Sequence, residues 1–162
     1  MEDYKRYGKE AKKNIQVADH MLFVTYPLIK DPKLLLAVME NMFLSLTNSM
    51  RLLLYHERTY KRVPSFFDTF ESKYRVLSEK AALRYGITQE TLDFLRHVKN
   101  VLVAHKRSPI EFSRRDQFVI CSDDYKLEVL GIEEIKDYLK KAKQFNLLAE
   151  NIVARNEESE RN

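Results

Sequence analysis

Leu34–Tyr55 reads LLLAVMENMFLSLTNSMRLLLY, with Glu40 and Arg51 as its only charged residues. A helix that is apolar around most of its circumference has to be surrounded by other helices, so this stretch predicts the central helix of a bundle. Asp31 and Pro32 ahead of it read as an N-cap followed by proline at the first helical position, and the pattern runs on to about Arg58. Asn41, Ser45, Asn48 and Ser49 recur inside it at spacings of three and four. Once buried, these polar groups need hydrogen-bond partners.

Working outward, Glu2 to about Thr25 contains no proline and only Gly8, with Ile15, Ala18, Leu22 and Tyr26 at helical spacing, which predicts a first amphipathic helix. Pro27, Asp31 and Pro32 mark the break after it. On the other side, Val63-Pro64-Ser65 interrupts the chain, and Ser65 caps a third helix over Phe66–Tyr85 whose sticky face is Phe66, Phe67, Phe70, Tyr74 and Leu77. Gly86 stops that helix, Thr88 opens a fourth that runs to about Lys106, and Ser108-Pro109 ends it. The period then changes: Gln117–Cys121 and Tyr125–Leu130, joined by Ser-Asp-Asp, read as a β-hairpin. Gly131 resets the chain into a last helix carrying Ile132, Ile135, Leu139, Ala142, Phe145, Leu148 and Ile152. The sequence therefore predicts an all-α, up-and-down bundle of four to five helices with a small β-hairpin before the last helix. Residues 1–155 form the single domain and 156–162 a polar tail expected to be disordered.

Composition narrows the chemistry. The chain has 162 residues, 3 Gly and 4 Pro, and no G-x-G-x-x-G or Walker loop, so a backbone cradle for phosphates is excluded. Cys121 is the only cysteine, which excludes an internal disulfide and fits a reducing compartment; it reads as a small strand residue. The opening MEDYKRYGKEAKKN is charged and no apolar run reaches the length of a membrane span, so a cytoplasmic protein without membrane partners is expected. His20, His56, His97 and His105 form no close ligand pair, and neither a metal nor another cofactor is expected. Glu133-Glu134 and Asp123-Asp124 read as a helix first turn and a hairpin turn.

The net charge of +4 acquires a location in one segment, Leu95-Arg-His-Val-Lys-Asn-Val-Leu-Val-Ala-His-Lys-Arg-Ser-Pro109. It ends a helix, places His105 in the last turn on the side of Val98 and Val101, and surrounds it with Lys99, Lys106 and Arg107, followed by Arg114 and Arg115. Read plainly, this is a solvated basic face with a helix-end histidine, and His20, His56 and His97 are ordinary helical surface or boundary residues.

The layout also resembles the HEPN superfamily, small helical bundles marked by an Arg, often followed by a polar residue, four to six residues before a His near the end of a late helix. Here the string is Lys99-Asn100-Val-Leu-Val-Ala-His105. The resemblance implies a dimer with a shared basic cleft and, in many members, a metal-independent ribonuclease of the toxin or defence type. In that chemistry a ribose 2′-hydroxyl attacks the adjacent phosphodiester, with His105 as general acid or base, Asn100 positioning and Lys99 facing the phosphorane charge. Lys106, Arg107, Arg114 and Arg115 would bind RNA. Lys99 stands where the family has Arg; it keeps the charge but loses the planar fork. That departure supports a rival expectation, a non-catalytic bundle that binds a nucleotide, an RNA or a nucleotidyltransferase-type protein partner, or that only dimerises. A homodimer is also expected because the central helix has more apolar surface than a thin bundle covers.

Overall fold

A computed structural model of the protein describes residues 3–107, 110–114, 117–121 and 127–161. The first rod is α1 (Lys5–His20), a π-helical turn over Met21–Thr25, and α2 (Tyr26–Ile29). The break expected at Pro27 does not occur there. Proline lacks an N–H and crowds the carbonyl one turn back, and the widened turn absorbs both effects: the Tyr26 amide bonds the Met21 carbonyl, five residues back. The chain reverses instead at Lys30, which sits in the left-handed region at φ 56.

The predicted central helix is α3 (Lys33–Thr59), started by Asp31, whose Oδ1 accepts from the Lys33 amide at 3.0 Å. Leu35, Val38, Met39, Met42, Leu46, Met50, Leu53 and Leu54 are each 0–1% exposed. Helix α1 lies along one side of α3, and α7 (Ile132–Arg161) along another. Gly8 permits the close approach of α1, since a Cβ there would stand 3.2 Å from the Leu52 side chain.

Ser45, Ser49 and Asn48 find partners across these seams, while Asn41 bonds within α3 itself. Ser45 Oγ donates to the Ala11 carbonyl of α1 at 2.7 Å and accepts from Asn146 Nδ2 of α7 at 2.7 Å, while Ser49 Oγ donates to Asn146 Oδ1 at 2.6 Å. Asn48 Nδ2 donates to Asn14 Oδ1 at 2.8 Å, and Asn41 Nδ2 to the Ala37 carbonyl at 2.9 Å. The bonds of Ser45, Ser49 and Asn48 tie α3 to α1 and α7 at fixed positions, so a shift of either helix along α3 breaks them.

The third predicted helix is shorter and divided. Helix α4 (Phe70–Val76) begins at Thr69, whose Oγ1 accepts from the Ser72 amide at 3.2 Å while Ser72 Oγ accepts from the Phe67 amide at 2.9 Å. The helix is thus capped at Thr69 rather than at Ser65, and Phe67, expected on the sticky face, is 80% exposed. A second π turn, Leu77–Ala81, leads to α5 (Ala82–Tyr85), which ends at Gly86 with φ 68, the left-handed stop expected there. Lys73 of α4 is only 2% exposed, and its ammonium donates to Asp68 Oδ1 at 2.5 Å, an oxygen that also accepts from Arg51 Nε at 3.0 Å. Burial pushes the Lys73 ammonium down; it would raise Asp68, but the two donors hold that carboxyl below the usual carboxylate range.

Helix α6 (Gln89–Arg107) is capped by Thr88, whose Oγ1 accepts from the Thr91 amide at 3.2 Å. It is followed by a three-stranded antiparallel sheet in the order β1 (Ile110–Arg114), β2 (Gln117–Cys121), β3 (Leu127–Gly131). The expected hairpin is β2–β3, with Val119 opposite Val129. Strand β1 was not expected, although Ile-Glu-Phe-Ser-Arg alternates apolar and polar residues with the strand period. The Ser-Asp-Asp connection and the Ser108-Pro109 stop lie outside the described residues. Ile120 and Leu130, at 0% and 1% exposed, close the end of the core, with β2 against α3 and α6 and β3 against α7.

Helix α7 continues through Arg161, so the stretch expected to be a disordered tail is helical, and the bundle is closed over a longer span than residues 1–155. The reason is tertiary pairing: Asn156, Glu157 and Glu160 all hydrogen-bond side chains outside α7. The whole is an all-α bundle with a small sheet before the last helix. Among the described residues no helix is long and apolar enough to cross a membrane.

Candidate functional site

Helix α6 presents Leu92, Leu95, Val98, Val101 and Leu102 to the core, and that phase decides where the polar residues of the motif point. Lys99 leans toward α4: its ammonium lies 5.5 Å from the ring centroids of both Phe43 and Phe70. Beside it Arg96 grips Glu71 with two hydrogen bonds, one from Nη2 to Oε2 at 2.9 Å, and stacks 4.4 Å above the Tyr74 ring. The Arg96 hydrogen bond, with Lys99 adding a smaller attraction, holds the Glu71 carboxyl below its ordinary range. Asn100 is exposed. His105 is half-buried in the last turn and Lys106 is exposed. Arg107 ends α6 and Arg114 ends β1, while Arg115 lies outside the described residues.

His105 lies six positions after Lys99, about 9 Å of rise and roughly 120° of rotation on a helix. Their side chains therefore leave α6 in different directions, and Asn100 leaves in a third. Within one chain the structure gathers His105, Lys106 and Arg107 at one end of α6 next to β2, and sends Lys99 to an aromatic seat against α3 and α4.

A second cluster lies where the sequence reading put only a surface histidine. His56 is 0% exposed, as is the neighbouring Glu57. Glu57 Oε2 accepts from Arg84 Nη1 at 2.7 Å; Oε1 accepts from Arg62 Nη1 at 3.4 Å and from the Tyr85 hydroxyl. That hydroxyl accepts in turn from Asn156 Nδ2 at 2.7 Å, and the same amide lies 3.3 Å from His56 Nε2. The His56 ring sits between the edges of Tyr4 and Tyr60, each centroid 5.0 Å away, and its buried Nδ1 has no hydrogen-bond partner among the described residues. Burial pushes His56 below its ordinary value, and burial followed by the bond to Glu57 raises Tyr85. Tyr4 is raised by burial and by its 2.7 Å hydrogen bond to Glu157. With its carboxylate saturated and its histidine sealed, this cluster ties the end of α3 to both ends of the chain. The signal was available in the periodicity, since Ser49, Leu53 and His56 fall on one stripe of α3.

His97, expected as an ordinary boundary residue, bridges two helices: its Nε2 and the Tyr138 hydroxyl of α7 are hydrogen-bonded at 2.9 Å, in a shallow depression lined by Glu90, Phe94 and Lys141. Among the described residues no three His, Cys, Asp or Glu side chains converge in a way that could hold a metal ion. No family model and no curated protein matches the chain.

Proposed function

We propose that this protein is a HEPN-like, RNA-associated bundle of the toxin or defence type, with His105 as the acid or base of a metal-independent endoribonuclease site. The observation that supports it best is the half-buried His105 in the last turn of a late bundle helix, followed at once by Lys106 and Arg107. An imidazole in the last turn of a helix can act as acid or base near neutral pH, while cations beside it attract a phosphodiester. Asn100 and Lys99 lie on other faces, so a complete site requires a second copy of α6, and a homodimer is part of this reading. In this reading Arg107, at the end of α6, and Arg114, at the end of β1, supply the charge that faces the phosphorane.

The test is cleavage of single-stranded RNA in EDTA by the wild-type protein and by His105→Ala. The expected result is metal-independent cleavage that falls at least a hundredfold in the variant. Equal cleavage by both proteins refutes the role of His105. One observation favours a second reading: Lys99 spends its charge on Phe43 and Phe70 rather than on an open cleft. A binding module that holds a nucleotide, an RNA or a nucleotidyltransferase-type partner without cleaving fits that placement. It predicts RNA retention without cleavage, and no gain of cleavage in Lys99→Arg.

A further inference from the structure

We propose that the seam between α1 and α7 is a track for single-stranded RNA, separate from the His105 end of α6. The proposal rests on the RNA-associated reading and gives it a binding surface. Helices α1 and α7 run antiparallel, crossed at one end by Lys5 and Glu157 at 3.4 Å and at the other by Lys143 and Asp19 at 2.5 Å. Between and beyond these crossings the surface is concave. Depressions are floored by Leu52 and Val153 near the first pair, and by Leu139 near the second.

Two lysine rows follow one another along the seam, one on each helix: Lys5, Lys9 and Lys12 of α1 line the first depression, opposite Glu150 and Glu157 of α7, and Lys136, Lys140 and Lys143 of α7 line the second, each row at spacings of four and then three. That spacing keeps each row on one helix face, with successive ammoniums about 5–6 Å apart along the axis, comparable to the spacing of phosphates in an extended strand. Among the described residues no carboxylate pairs with Lys9, Lys12 or Lys140. These three charges are the ones available to a polyanion without breaking an existing pair.

The far end adds a feature that phosphate binding alone does not explain. The π turn after α1 sets Phe23 on the outer surface at 50% exposed, with the Lys136 ammonium 5.9 Å from its ring centroid. An exposed aromatic face at the end of a basic groove is how sequence-tolerant single-strand binders hold a base while lysines hold the backbone. Lysines, as point charges without a fork, suit phosphates of any orientation, so binding here is expected to be largely independent of sequence.

The experiment measures fluorescence anisotropy of a labelled 2′-O-methyl oligouridine strand, which lacks the attacking hydroxyl and so is not cleaved, at salt from 0.1 to 1 M, for three proteins. They are the wild type, Lys9→Gln/Lys12→Gln/Lys140→Gln, and Phe23→Ala. Losing three phosphate contacts should flatten the slope of log K against log salt by about 2, and so weaken binding about a hundredfold at 0.1 M with convergence near 1 M. Phe23→Ala should weaken binding about tenfold at every salt concentration. A triple variant with unchanged slope and affinity, its fold confirmed by circular dichroism, overturns the track while leaving the RNA reading in place. Wild-type protein that binds no RNA overturns both, and capture of polyglutamate in place of RNA assigns the seam to an acidic protein partner and overturns the proposal.

Discussion

Replacing Asn146 by Ala tests how much of the bundle depends on its polar interior. Asn146 is 8% exposed, and its amide both donates to Ser45 and accepts from Ser49, at 2.7 and 2.6 Å. Each bond is worth about 1 kcal/mol net. Their loss is not the whole effect, because the two serines respond differently. Ser45 keeps its bond to the Ala11 carbonyl, whereas Ser49, 1% exposed, loses the acceptor recorded for its hydroxyl. Stranding that donor adds about 1–2 kcal/mol, so the total is about 3–4 kcal/mol. For a chain of this size that lowers Tm by roughly 6–16 °C.

Chemical denaturation followed by circular dichroism measures the loss, and a second variant isolates its cause. In Ser49→Ala/Asn146→Ala the stranded donor is gone and the bond between the two residues is lost only once, so the double variant should be less destabilised than the two single losses added together, by about 2–3 kcal/mol. Additive losses, or a single-variant loss below about 1 kcal/mol, would refute the argument that satisfied polar groups rather than apolar packing alone hold α7 on α3.

The sealed His56 makes stability depend on pH. Its folded value lies below the ordinary 6.5, so its contribution is fully present above pH 6.5 and is lost as pH falls from there toward the lowered folded value. Thermal melts should show an acid limb in that range, and His56→Gln should flatten it. At Lys73 and Asp68 the two partners should behave unequally. Asp68→Ala leaves a buried ammonium without its acceptor and should cost about 3 kcal/mol, whereas Lys73→Met fills the same space and should be within about 1 kcal/mol of neutral. Both are read by urea midpoint. Gly86→Ala places a Cβ on a residue at φ 68 in open space, so the expected loss is the backbone cost alone, about 1 kcal/mol, with no packing term.

How far the fold was legible depends on how local each determinant is. Asp31-Pro32 and Gly86 announce helix ends because caps and left-handed stops are decided by a few neighbouring residues. Pro27 misled because the same local rule has a second solution, a π turn, whose selection depends on what α1 packs against. Strand β1 was hidden because its alternation lies in five residues that also read as basic flank. The tail misled because Asn156, Glu157 and Glu160 are polar in sequence but become helical through Tyr85, Tyr4 and Arg62, which lie distant in sequence.

The candidate site divides in the same way. The spacing of Lys99, Asn100 and His105 is a fact of sequence, yet helical phase sends them to three directions, and only the rings of Phe43 and Phe70 show where Lys99 goes. By itself the sequence determined an all-α bundle around an apolar central helix, because hydrophobic periodicity is a one-dimensional pattern with one common solution. Tertiary structure alone decided which polar residues are sealed, which are paired across helices and which remain open. His56 with Glu57, the Asn146 ladder and the lysine rows of α1 and α7 each acquire their character from groups far away along the chain. The reason is physical: burial and electrostatic pairing act through space over a few ångströms, while the sequence specifies distance only along the chain.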